Sequence, residues 1–424
     1  MRLVKNNLKK TISSSGINFL FRIFGLGSSF LIVLIISRFF SVSIYGNYAL
    51  TFTLAQASSL IFSLGLPNAL ILIKGNKSLD INESKSLLLK GSKIVLLLSI
   101  VPFFFFYFGA NTISTIIFHN QELVVFFKIV GFSLPFLIIH ELFLFHFIAI
   151  KRFYFYNLFM FLLPNLLLIL FLLIFYYYYK TGYSTFLSYS LSIFIVVIIE
   201  FIVIYESKLP KISKNINTRE LLKTATPMLF SGLLLYLLNW TDIIMLGIMV
   251  DEKQVGIYNI AYKIGTVGFL VIVSVSTIIT PKIAELYGKG NIAELKNTIQ
   301  TATRLIAFLS IPLVGALILF KNFILSFFGP EALMGSTTMI IISLGVLFSA
   351  ISGNVDQILN MTNNQRILRN ITLICFLLNV LLNVLLIPIY GIEGAAFASL
   401  ICNVAINLLC LFYIKRKLGF YTLF

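Results

Sequence analysis

Charge is scarce in this sequence. Only 11% of its 424 residues are Asp, Glu, Lys or Arg, and only 15 are acidic, whereas ordinary soluble domains are about 25% charged. With 59% hydrophobic residues, that excludes a soluble globular enzyme and leaves a polytopic membrane protein. Cysteine is nearly absent. Cys375, Cys402 and Cys410 all fall in apolar runs, which excludes a disulfide framework and makes them small core residues. The three histidines, His119, His140 and His146, form no grouping of known metal-ligand spacing with Cys or carboxylates, so no metal site is expected. No P-loop, HExxH zinc site or nucleophile elbow occurs. The chain also lacks a polar stretch long enough for a separate soluble domain, so no catalytic residues are expected and the chain is not read as an enzyme.

What the sequence does have is long apolar runs, too long and continuous for barrel strands. A helix needs about 20 such residues to cross a bilayer, and lipid demands that a spanning backbone satisfy its own hydrogen bonds. The pattern predicts an all-α fold of twelve spans. The first six are Ile12–Ile36, Tyr45–Ile73, Lys93–Phe118, Val124–Ile150, Phe153–Tyr178 and Thr185–Tyr205. The second six are Leu222–Met249, Val255–Thr280, Thr298–Phe320, Leu333–Asn360, Ile367–Ile389 and Ile392–Ile414. Pro102, Pro135, Pro164 and Pro312 predict kinks within them.

The net charge of +17 would suit nucleic acid if it were spread evenly. It is not. Of 32 Lys and Arg, 25 fall on one predicted side and 5, Arg38, Lys128, Lys180, Lys253 and Lys321, on the other. That split is the positive-inside pattern, reinforced by attraction to anionic lipid. It predicts that both termini are cytoplasmic, that the turn Asp251–Gln254 is external, and that the partners are membrane lipid and not nucleic acid.

An internal repeat follows. Sliding the chain by 210 residues sets Gly46 and Tyr48 on Gly256 and Tyr258, Pro102 on Pro312 and Phe118 on Phe328. Each half has an even number of spans, so the halves enter the membrane from the same side and form a parallel pseudo-two-fold repeat. The expected organisation is an N-terminal lobe at 1–206, a cytoplasmic link at 207–220 and a C-terminal lobe at 221–424, acting as a monomer.

Five ionisable residues lie inside spans: Arg22, Glu141, Glu200, Asp242 and Lys263. A central Arg, Lys or Asp costs on the order of 2.5–3.5 kcal/mol on insertion scales. Under the 210 offset their counterparts are Gly232, Ile351, Cys410, Ile32 and Thr53, so the repeat itself does not require them. They line a working cavity or lock helices together as ion pairs. Asp242 and Lys263, on antiparallel neighbours at similar depth, are expected within salt-bridge reach in at least one state. Matched at the same offset, His146 and Asp356 read as hydrated helix ends.

Certain motifs carry a resemblance. The segment N-W-T-D-I-I-M-L-G followed by V-G-I-Y-N-I-A-Y-K-I, then T-P-K-I-A-E-L-Y-G-K-G-N and the late L-N-V-L-L-I-P-I-Y-G-I-E-G-A-A-F-A-S-L, is similar to the polysaccharide-transporter (O-antigen flippase) family. That family belongs to the multidrug/oligosaccharidyl-lipid/polysaccharide exporter superfamily. The N-terminal S-R-F-F-S-V-S-I-Y-G-N-Y also resembles it, so the likeness covers nearly the whole chain. It implies two six-helix lobes around a central cavity and translocation of a polyprenyl-diphosphate-linked oligosaccharide across the bacterial cytoplasmic (inner) membrane. Arg22 and Lys263 are then the candidates for binding the diphosphate. Asp242, Glu141 and Glu200 are candidates for ion coupling, with H+ or Na+ as the ion and no other cofactor. Physics gives the small residues plainer roles. Gly391, Gly394, Ala395 and Ala396 follow Pro388 and suit a tight turn with close packing, and Gly46 and Gly256 suit short turns. Two alternatives stay open: a multidrug antiporter of the same superfamily, and a membrane glycan polymerase or ligase. A major-facilitator transporter would carry Gly-x-x-x-Asp-Arg between its second and third helices, and Lys74–Lys93 has none.

Overall fold

The structure is a computed structural model. It describes residues 20–76, 79–205 and 218–423, without the side chains at 76, 230–232, 235 and 238. The expected start of the first span at Ile12, the basic residues Arg2 to Lys10 and the link segment Glu206–Asn217 lie outside the described residues.

Helices make up almost all of it, and no strand occurs among the described residues. In order they are α1 (Leu20–Phe40), α2 (Val42–Phe62), α3 (Leu66–Asn76), α4 (Ile81–Phe108), α5 (Leu123–Ala149), α6 (Phe153–Tyr178), α7 (Ser184–Tyr205), α8 (Thr218–Met249), α9 (Glu252–Gly288), α10 (Ile292–Leu319), α11 (Pro330–Ser352) and α12 (Gln365–Leu418). Among the described residues nine helices are long and apolar enough to cross a membrane, and α2 with α3, bent by 44°, makes a tenth. Their outward faces carry large apolar side chains such as Leu97, Phe108, Ile278 and Phe308, as a lipid solvent demands. The difference from twelve has two sources: the expected spans Ile367–Ile389 and Ile392–Ile414 both fall within α12, and α8, which contains the expected Leu222–Met249, is not among the ten.

Run straight, the 54 residues of α12 would extend about 80 Å at 1.5 Å per residue. They do not run straight. Gly391 has φ 56° and ψ −130°, a backbone that side chains with a Cβ rarely adopt. Beyond it the chain returns on itself, so Cys375 and Cys410 share one apolar cluster with Leu295, Ile299 and Ile414. A Cβ on Gly394 would lie 2.3 Å from the Leu386 carbonyl oxygen, and Ala395 and Ala396 are fully buried. The tight turn and close packing expected there are present. Gly391→Ala is expected to lower the unfolding temperature in detergent, because forcing a Cβ into this region costs about 1–3 kcal/mol. Gly75→Ala, where a Cβ meets open space, serves as the control. An unchanged midpoint for Gly391→Ala would show that the turn does not depend on glycine.

Helix starts are set by side-chain caps, and the caps repeat. Ser41 caps α2 by accepting from the Ile44 N–H, and Asp251 caps α9 by accepting from the Gln254 N–H, 210 residues on. Asp80 caps α4 by accepting from Glu83 N–H and closes a capping box with it; Asn291 caps α10 by accepting from Glu294 N–H. Both α4 and α10 are 28 residues long. A cap of this kind contributes about 0.5–2 kcal/mol, which is why α4 and α10 begin well before the expected Lys93 and Thr298. The caps also correct the reading of Gly46 and Gly256. Both lie buried inside α2 and α9, and the chain turns at the capping residues instead.

Pro102, Pro135 and Pro312 sit inside α4, α5 and α10, and Pro164 follows a π-helical turn at Leu158–Leu162 within α6. That turn absorbs the hydrogen bond a proline cannot make. Phe153–Tyr178 matches the expected span to the residue. The expected Leu333–Asn360 stops short, because Gly353 takes φ 83° and ends α11 at Ser352.

The chain divides into two compact units, Met1–Tyr236 and Leu237–Phe424. In the first, Leu87, Val130, Leu134, Ile138, Phe147 and Phe186 form the buried core. In the second, a cluster of Leu295, Ile299, Ile358, Cys375, Cys410 and Ile414 holds α10 to both arms of α12, with Phe420 packed into it. All three cysteines are buried and free.

Candidate functional site

The most highly bonded carboxylate in the second unit is Asp242, on α8 and 3% exposed. Its Oδ1 accepts from Asn383 Nδ2 at 2.8 Å and Asn379 Nδ2 at 3.3 Å. Its Oδ2 accepts from the Tyr258 hydroxyl at 2.7 Å and from the Ser399 hydroxyl. A carboxylate offers about four acceptor positions, and here neutral donors fill them all. The fold makes this possible in one way only. Tyr258 comes from α9, Asn379 and Asn383 sit one turn apart on the first arm of α12, and Ser399 sits on the second arm. Without the return at Gly391 the last group could not reach. Asn383 Oδ1 remains buried with no hydrogen-bond partner among the described residues.

The expected pairing of Asp242 with Lys263 is therefore not what this structure shows. Asp242 takes four neutral donors, and Lys263, half-buried on α9, is not one of them. Neutral donors satisfy a buried carboxylate without bringing a second charge out of water.

Beside Asp242 lies a cavity of about 690 Å³. Its walls include Asn239, Ser349, Asn379, Ser399, Asn403 and Asn407, and no Lys or Arg lines it among the described residues. Three of these form a second network. The Ser349 hydroxyl donates to Asn403 Oδ1 at 2.6 Å, and Asn407 Nδ2 donates to Ser349 Oγ at 3.0 Å and to Asn403 Oδ1 at 2.9 Å. Sequence reasoning missed both networks because it weighed only formal charge. A signal was available: Asn379-x3-Asn383 and Ser399-x3-Asn403-x3-Asn407 place amides and a hydroxyl four residues apart, on one helical face each.

In the first unit the polar groups cluster between α2, α5 and α7. His140 Nδ1 lies 3.0 Å from Glu200 Oε2, with Glu200 fully buried. Ser59 donates to Glu141 at 3.5 Å, and Gln56 donates to the Tyr189 hydroxyl at 2.9 Å. Glu141 and Glu200 are thus not partners of one another. His140, set aside above as a metal ligand, is the partner of Glu200. His146, read as a hydrated helix end, is buried beside the Ser84 hydroxyl at 3.4 Å, whereas Asp356 is exposed as expected.

Arg22 is exposed on α1. Its neighbour Phe21 packs edge-on against Tyr154, with ring centres 5.5 Å apart, and Tyr156 lies within electrostatic reach of the guanidinium. Arg22 is therefore beside the first turn of α6.

Comparison with known proteins gives this geometry a context. The chain is 26% identical over 184 residues to the probable low-salt glycan biosynthesis flippase Agl15 of Haloferax volcanii, covering 43% of this chain and 39% of that protein. It is 31% identical over 167 residues to the probable flippase AglR of the same organism, covering 38% and 35%. The matched region thus spans well under half the length of these relatives. Among solved structures, an inward-facing multidrug resistance MATE family transporter of the MOP superfamily superposes with a TM-score of 0.78 at 14% identity, over 93% of this chain and 94% of that one. The lipid II flippase MurJ in an inward closed conformation superposes with a TM-score of 0.75 at 18% identity, over 95% and 87%. These likenesses show the fold. The MatE family pattern matches residues 227–385. The polysaccharide biosynthesis protein pattern runs further, through residues 8–287, and with more than half its length so matched this multi-pass membrane chain belongs to that family.

Proposed function

We propose that the protein is a flippase that carries a polyprenyl-diphosphate-linked oligosaccharide, of the O-antigen or capsule repeat-unit kind, from the cytoplasmic to the outer leaflet. It works by alternating access in the bacterial cytoplasmic membrane, with twelve spans in two six-helix lobes and both termini cytoplasmic. The observation that carries this reading is the Asp242 cluster beside a polar cavity. An ionisable residue inside the membrane is by default a functional candidate, and the groups that hold this carboxylate are neutral, which leaves its charge for a small cation. The relatives support it. Agl15 is described as a glycan biosynthesis flippase and AglR as a flippase.

In this reading Asp242 takes the coupling ion, H+ or Na+. The oxygens of Tyr258 and Ser399 and the unpartnered Asn383 Oδ1 surround it as further ligands suited to a hard cation. Glu141 and Glu200 are the second set of coupling groups. Arg22 and Lys263 hold the diphosphate. Arg22, exposed on α1, meets the head group in this reading, since a guanidinium presents a donor fork suited to phosphate oxygens.

Rescue of a flippase-null bacterial strain tests the reading, measured as surface polysaccharide per unit of membrane-inserted protein. Wild type restores the polysaccharide. Arg22→Gln inserts at near-normal levels and loses about tenfold or more of the export, the equivalent of roughly 1.4 kcal/mol of binding, while Arg22→Lys keeps part of it. Normal export by a well-expressed Arg22→Gln protein would move the phosphate anchor to Lys263. A multidrug antiporter, the reading favoured by the MatE match over residues 227–385, would leave the null strain without polysaccharide.

A further inference from the structure

We propose that the cavity of the second unit holds the sugar part of the cargo and selects uncharged glycans over acidic ones, an inference that rests on the flippase reading above. The first ground is what lines the cavity. In a chain with a net charge of +17, no Lys or Arg among the described residues faces it, and the one carboxylic acid among its described walls is the exposed Asp356. A uronate entering it would be desolvated with no cation to meet it, which is the costly arrangement for a buried charge. A neutral polyol faces no such cost.

The second ground is which polar atoms are left over. If the amides only tied helices together, their hydrogen-bonding groups would be used up on one another. They are not. The Ser349–Asn403–Asn407 network uses Asn403 Oδ1 and Asn407 Nδ2. The Asn403 Nδ2 donors and the Asn407 Oδ1 acceptor take no part in it, on two residues one helical turn apart that both line the cavity. Asn354, also in the wall and 8% exposed, keeps a buried Nδ2 with no partner among the described residues. Buried donors of this kind are almost always matched, so the unmatched one points to an absent ligand. An amide donor and an amide acceptor at this spacing suit neighbouring hydroxyls on a sugar ring. Phe269 and Tyr262, in the same wall, supply flat apolar faces for its C–H side. At about 690 Å³ the cavity is within the usual range of ligand pockets, about 300–1,000 Å³.

The chain contains one tryptophan, Trp240, next to the wall residue Asn239, so its fluorescence reports on occupancy. The purified full-length protein in detergent is titrated with diacetylchitobiose, a neutral disaccharide, and with a disaccharide containing glucuronic acid. Saturable binding of the neutral sugar, about tenfold tighter than the acidic one, is expected. Asn403→Leu and Asn354→Ala should each weaken it about three- to tenfold, as loss of one hydrogen bond does. Asn354→Ala leaves the Ser349–Asn403–Asn407 network intact, so it decides the matter if Asn403→Leu fails to fold. Equal affinity for the two sugars, no saturable response, or unchanged affinity in both variants would overturn the proposal. The null-strain rescue separates the two readings. A wild type that rescues but binds no disaccharide overturns the cavity assignment alone. One that binds the neutral disaccharide but does not rescue overturns the flippase reading and leaves the cavity a sugar site.

Discussion

Asp242→Ala is expected to destabilise the second unit more than any other single substitution there, and Asp242→Asn is expected to fold but not to export. The alanine leaves the Tyr258 and Ser399 hydroxyls and the Asn379 and Asn383 amides without their acceptor. At about 1–3 kcal/mol for each buried group left unsatisfied, the loss approaches the roughly 5–15 kcal/mol that holds a whole domain together. Asparagine keeps one oxygen for the two amides. Its Nδ2 can donate to the hydroxyls of Ser399 and Tyr258, which rotate and accept as readily as they donate. The shape and the bonds survive while the charge that would bind a cation is gone. Unfolding midpoints in detergent and export per inserted molecule measure the two effects separately. An Asp242→Ala protein with a wild-type midpoint would show that the four bonds contribute nothing. A fully active Asp242→Asn protein would remove the carboxylate from the coupling scheme.

The second large effect is expected at the buried pair His140–Glu200 in the first unit. Glu200→Leu or His140→Leu alone strands a polar partner among α2, α5 and α7, where breaking a buried pair costs about 3–5 kcal/mol. The double variant removes both groups and should lie closer to wild type than either single one, the signature of direct coupling. Glu200→Gln keeps an acceptor opposite His140 Nδ1 and should be nearly as stable as wild type. Detergent unfolding of the four variants decides it, and losses that simply add in the double variant would count against the pair.

What could be read in advance, and what could not, follows from the physics of each feature. Apolar length fixes the spans, so Phe153–Tyr178 was legible to the residue. Pro388 before Gly391 fixes a turn, because few residues besides glycine accept that backbone. The starts of α4 and α10 were legible in principle, since Asp80 with Glu83 and Asn291 with Glu294 are capping signatures, but apolar length alone placed them too late. Gly46 and Gly256 misled because a glycine suggests a turn even when a cap one turn earlier has already made it. The candidate site was half visible. Asp242 stood out by its charge, yet its partners carry none, and Lys263 drew attention only because opposite charges are easy to count. Asn379, Asn383, Ser399, Asn403 and Asn407 come together only once the chain has doubled back.

That return rests on a single residue, and it makes the hairpin of α12 a matter of phase. No flexible loop lies between its arms to absorb a change in length. A one-residue insertion at Gly391 would rotate everything after it by about 100° around the helix axis, given 3.6 residues per turn. Ser399, Asn403 and Asn407 would swing as a set, from the polar interior toward lipid, with every span still present and just as apolar. The polar face of the second unit is therefore kept in place by angular bookkeeping at one glycine, and its failure would be invisible to any measure of hydrophobic length.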